Sequence, residues 1–64
     1  MRNYRWIKIT DVNGETYEFE DCKMIEYFGS IVILFVAPLG TVRKTFYKRN
    51  IVSFEYLSPT EIVD

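Results

Sequence analysis

Histidine is absent from this chain of 64 residues, and cysteine occurs once, at Cys22. The first absence removes the commonest general acid–base group and the imidazole metal ligand. The second removes any intramolecular disulfide and leaves too few soft ligands for a structural zinc. A lone Cys22 without a neighbouring base, and beside Asp21, reads as a small, half-buried structural residue rather than a nucleophile. Glycine is scarce as well, with three residues, and none of them builds a Gly-rich phosphate loop. The longest apolar run, Ile31 to Ala37, covers seven residues. A helix that crosses a bilayer needs about 20. The N-terminus alternates charged and apolar residues and shows no secretory core, so the expected location is the cytoplasm, in keeping with one unpaired thiol. Neither charge sign dominates: eight Lys and Arg stand against nine Asp and Glu. No enzyme, cofactor or metal site is expected from this composition.

The aromatics are plentiful instead: one Trp, five Tyr and five Phe. A chain this short buries only about 60% of its unfolded surface, and such a core rarely supplies more than ~3–5 kcal/mol. Large rings and self-association are the compensations open to it. Strand patterning runs along its whole length. Tyr4 to Thr10 alternates with bulk on both faces. Asn13-Gly14 follows as a two-residue hairpin signal, for which a type I′ turn is expected. From Glu15 to Glu20 the period is two, with Tyr17 and Phe19 inward and Thr16, Glu18 and Glu20 outward. Asp21-Cys22 reads as a bend or bulge, and a third strand runs from Lys23 to Phe28. Gly29-Ser30 is a second hairpin signal. Ile31 to Ala37 reads as a strand covered on both faces, and Pro38 to Thr41 as a turn. Val42 to Leu57 is too long for one straight strand and is expected to break near Lys48-Arg49-Asn50. Ser58-Pro59-Thr60-Glu61 has the form of a helix start. The expected architecture is one all-β domain over residues 1–58: a five- to six-stranded antiparallel meander curled into an SH3-like or Sm-like barrel. A short C-terminal turn or frayed tail is expected over 59–64.

Two charged segments stand out. Arg43, Lys44, Lys48 and Arg49 flank Tyr47 in a stretch without acids. These five residues are the expected partner-binding set, aimed at an acidic protein surface. The same mixture of cations and rings also suits single-stranded nucleic acid, which is the alternative expectation. Between Asp11 and Glu26 the acids prevail, and Glu18 and Glu20 form a negative ridge. That ridge is the expected self-association surface, meeting the basic strand of a neighbouring copy head to tail. The segment from Lys48 to Glu55 resembles in part the second signature of Sm-like proteins, in which a basic residue and Asn precede a short apolar strand. It lacks the central glycine of that signature, and no RNA-binding residue is carried over. The functional expectation is a non-catalytic interaction module that binds a protein partner or itself. A structural subunit of a larger assembly is a further alternative.

Overall fold

The computed structural model describes residues 2–58. Five strands follow one another: β1 (Arg2–Asp11), β2 (Thr16–Glu26), β3 (Ser30–Ala37), β4 (Gly40–Tyr47) and β5 (Ile51–Leu57), with a 3-10 turn at Lys48–Asn50 between the last two. They form one antiparallel sheet in the order β4-β3-β2-β1-β5. The sheet curls around its own side chains, but β4 and β5 remain its edges and it is not closed into a barrel. The Cα radius of gyration is 12.3 Å, against about 10–11 Å for a compact chain of this length. The expected C-terminal turn or tail falls at 59–64, outside the described residues.

The core lies on the inner face. Ile7, Ile9 and Ile33 are fully enclosed there. Phe46 reaches across from β4, edge-on to Tyr17 at 5.2 Å and to Phe19 at 5.9 Å between ring centroids. Edge-to-face pairs of this kind add about 0.5–1.5 kcal/mol beyond the area they bury.

Two irregularities decide which side chains reach this core. The first lies in the β1–β2 ladder, where Tyr4 faces Cys22 and Trp6 faces Glu20, but the rung between Arg5 and Asp21 is skipped. Asp21 takes φ +49°, a left-handed conformation that Asp tolerates better than most residues. Beyond this rung both strands exchange faces. Ile7, Ile9 and Phe19 are inward on one side of it, and Tyr4, Cys22 and Met24 on the other. The bulk seen on both faces of β1 in the sequence is therefore one inner face whose phase changes. Because Asp21 is accommodated this way, β2 continues to Glu26, and Lys23 onward is not a separate strand. The second irregularity sits where β1 meets β5. Thr10 faces Ser53 but Asp11 faces Ile51, so Val52 is extra. This bulge lets both Ile51 and Phe54 pack against the core.

The turns also depart from expectation. At the first hairpin Gly14 N–H donates to Asp11 O at 3.0 Å, and Asp11 N–H to Glu15 O at 2.9 Å. Among the turn residues only Gly14 has positive φ, at +81°. This is a type I turn closed by a left-handed glycine, not type I′. The reason is Asp11, whose Oδ1 accepts from the Asn13 and Glu15 N–H groups at 2.9 and 3.0 Å. That capture holds Asn13 at negative φ. At the second hairpin Tyr27 N–H donates to Ser30 O at 2.8 Å, so the tip is Phe28-Gly29, one residue earlier than expected. Ser30 is already in β3, opposite Tyr47. The double cover expected of β3 holds for Ile31, Val32 and Ile33 but not further: Val36 is 82% exposed. The β2–β3 pairing stops at Lys23 opposite Leu34. Beyond it β3 keeps a backbone ladder with β4 alone, although Phe35 still packs on Phe19 of β2 at 5.1 Å between ring centroids.

Candidate interaction surface

The five residues expected to bind a partner do not form one patch. Period-two alternation on β4 puts Lys44 on the inner face with Phe46, and Arg43 and Tyr47 on the outer one. The Lys44 ammonium lies 5.0 Å from the centre of the Tyr17 ring and 5.9 Å from that of Phe46, closing the core rim as a cation–π cover. Lys48, in the 3-10 turn, donates to Glu26 Oε2 at 2.8 Å. Arg49 sits over the Tyr47 ring at 5.8 Å. Arg43 faces Leu34 across the β3–β4 ladder. Arg43, Tyr47 and Arg49 are exposed.

The acidic ridge is placed on β2, two strands from β4. Glu18 accepts a hydrogen bond from Trp6 Nε1 at 3.1 Å. Lys8 lies between Glu18 of β2 and Glu55 of β5 in the ladder, so opposite charges alternate across three strands of the outer face. Glu20 stands opposite Trp6. Next to it a wide depression of about 570 Å³ is lined by Arg5, Trp6, Glu20, Asp21 and Leu57.

The ionisable groups respond to these contacts. The hydrogen bond from Lys48, and then its charge, hold the Glu26 carboxyl below its ordinary range. This contribution is present above the unfolded carboxyl pKa and is lost as pH falls through the lower folded value. Burial is the first cause that raises the Cys22 thiol, with Asp21 adding to it. Tyr17 donates its hydroxyl proton to Glu15 Oε2 at 2.8 Å, with Asp11 Oδ2 at 3.3 Å. Its phenol is pushed up to about 12, first by that hydrogen bond and then by burial and the acidic neighbours. A raised folded pKa means that the contact stabilises fully below the unfolded value of 10.0 and is lost as pH climbs towards about 12. Ultraviolet titration of the phenols is expected to show one late ionisation, absent in Tyr17→Phe. An unchanged curve in that variant would exclude the contact.

A further set of residues went unrecognised in the sequence. Met24, Glu26, Ile31, Lys48, Ile51 and Phe54 line an apolar cavity of about 260 Å³, rimmed by the Lys48–Glu26 ion pair. It lies where β5 leaves the 3-10 turn. Beside it Lys48 N–H donates to Gly29 O at 3.0 Å, which ties the β2–β3 tip to the rim. Phe28 projects from that tip and is 102% exposed. The sequence signal for this arrangement is the turn at Gly29, whose tip lies one residue earlier than the Gly-Ser pair suggests. The cavity itself joins positions more than 20 residues apart, which no local pattern encodes. Among the described residues no group of His, Cys, Asp or Glu is placed to hold a metal ion, and no helix is long and apolar enough to cross a membrane. The chain matches no protein-family model, no curated protein and no solved structure.

Proposed function

We propose that this chain is a non-catalytic interaction module that binds a protein partner, a further copy of itself included, by accepting a strand on the free edge of β5. The observation that carries this reading is the unpaired edge itself. β5 borders only β1. Its residues, Ile51 to Leu57, include no Pro and no Lys, and Glu55 is the only charge. Natural edge strands are normally blunted by such residues or covered. The opposite edge is guarded in that way, since β4 carries Arg43 and Lys44. A strand added to β5 exchanges backbone hydrogen bonds with it and takes specificity from alternate side chains. It would also stand in the gap between β5 and β4 and complete the SH3-like or Sm-like barrel, a closure that the strand order and the 3-10 turn support. Arg49, over the Tyr47 ring, and Arg43, further along the same face of β4, supply the positive charge for an acidic partner surface. The engagement of Lys44 with Tyr17, and of Lys48 with Glu26, draws support away from a phosphate backbone as the ligand.

Charging the edge tests this reading. Val52 and Leu57 are 67% and 58% exposed, so Val52→Lys with Leu57→Lys leaves the core intact. Loss of self-association or partner binding, at unchanged circular dichroism, is the expected result. Full association by the double variant would show that β5 is not the edge in use.

A further inference from the structure

We infer that a second copy of this chain docks at the end of the sheet where β2 turns into β3, with Phe28 of each copy seated in the apolar cavity of the other. This rests on the interaction-module reading but names a different contact: a side chain in a pocket, not a strand at an edge. Phe28 is a fully exposed phenyl ring on a two-residue tip, where a turn needs no large apolar residue. The cavity of about 260 Å³ lined by Met24, Ile31, Ile51 and Phe54 is large enough for one aromatic side chain. The Lys48 N–H to Gly29 O bond fixes the tip against the cavity rim, so projection and hole lie side by side at one end of the molecule. A single two-fold axis passing between them fills both holes at once, the isologous arrangement in which each surface is its own partner.

Area and charge balance agree with a copy of the same chain as the occupant. The rim's cation and anion, Lys48 and Glu26, are already paired with each other, so the rim presents no net charge that would repel an identical copy. Tyr27 and Tyr47 flank the tip and are 48% and 55% exposed. With Phe28, these rings offer roughly 400 Å² per copy. The cavity wall and the start of β5 add to this, bringing the two copies together near the ~1,000 Å² that a specific interface needs.

Light scattering on a sizing column, over a dilution series, tests the proposal with Phe28→Ser, with Ile51→Trp, and with the double edge variant described above. The wild type is expected at twice the 7.7 kDa monomer mass. Phe28→Ser removes only exposed atoms and should keep the thermal transition while weakening the dimer at least about 30-fold. Ile51→Trp fills the cavity from its own wall and should do the same. Since Ile51 is partly buried, its folding is checked by circular dichroism. A wild type that stays monomeric into the millimolar range overturns the proposal. So does a dimer that withstands Phe28→Ser. If that dimer dissociates only when Val52 and Leu57 are charged, the edge reading stands and the pocket contact fails. The reverse pattern supports the pocket contact and removes the edge.

Discussion

Ile33→Ala is expected to leave the chain largely unfolded under conditions in which the native protein is folded. Ile33 is fully enclosed on β3, opposite Met24 of β2 and Lys44 of β4. Truncating such a residue costs about 2–5 kcal/mol, the transfer term plus the cavity left behind. A domain of this size rarely holds more than ~3–5 kcal/mol in total. The two ranges overlap, so one substitution consumes most of the margin. An open sheet sharpens the effect, because among the described residues no α-helix or second layer is present to move in and refill the space. Urea unfolding followed by Trp6 fluorescence provides the measurement. Leu39→Ala is the control: Leu39 is 103% exposed at the β3–β4 tip and should stay within about 0.5 kcal/mol of wild type. A loss below about 1 kcal/mol at Ile33 would mean that this face is not the packed one.

The second large effect concerns the single thiol. Cys22 is 2% exposed and lies among Tyr4 and Met24 on the far side of the skipped rung. Burial also raises its pKa, which lowers the reactive thiolate fraction. Reaction with a thiol reagent near pH 7 should therefore proceed only through opening of the sheet. If opening is global, ~3–5 kcal/mol of stability slows labelling by roughly two to four orders of magnitude relative to the urea-unfolded chain. Ile33→Ala should restore most of the unfolded rate, which links the two measurements. Labelling of the native protein at the unfolded rate would show that the β1–β2 hairpin frays at Cys22 while the remainder holds.

Much of this fold is legible in local pattern. The all-β class, the outward Glu18 and Glu20, the irregularity at Asp21 and the break at Lys48–Asn50 follow from side-chain period and turn chemistry. What escaped depends on contacts made after the chain has curled. Nothing within a few residues of Lys48 reveals that it pairs with Glu26, so a basic run looks like a free patch until the sheet brings that carboxylate alongside. Lys44 looks like part of the same patch because strand alternation says which residues share a face but not which face is the inner one. The period of Phe28 fits a strand, but the hydrogen bond from Tyr27 N–H to Ser30 O puts Phe28 at the hairpin tip, with Ser30 already paired opposite Tyr47. The exposed rings of Tyr27, Phe28 and Tyr47 and the cavity gather around the β2–β3 tip, a grouping that no local pattern encodes.

The phase change shared by β1 and β2 has a consequence for how the hairpin finds its partner positions. In a regular ladder, a slip of two residues keeps every side chain on its proper face and costs only the rungs lost at the ends. Here such a slip would set the kinked stretch of one strand against a straight stretch of the other, exposing apolar residues on both. The pair at Arg5 and Asp21 therefore acts as a notch and tooth. It rejects the near-miss alignments that the alternating pattern alone would allow, and it requires that an insertion or deletion in one strand be matched at the same rung of the other.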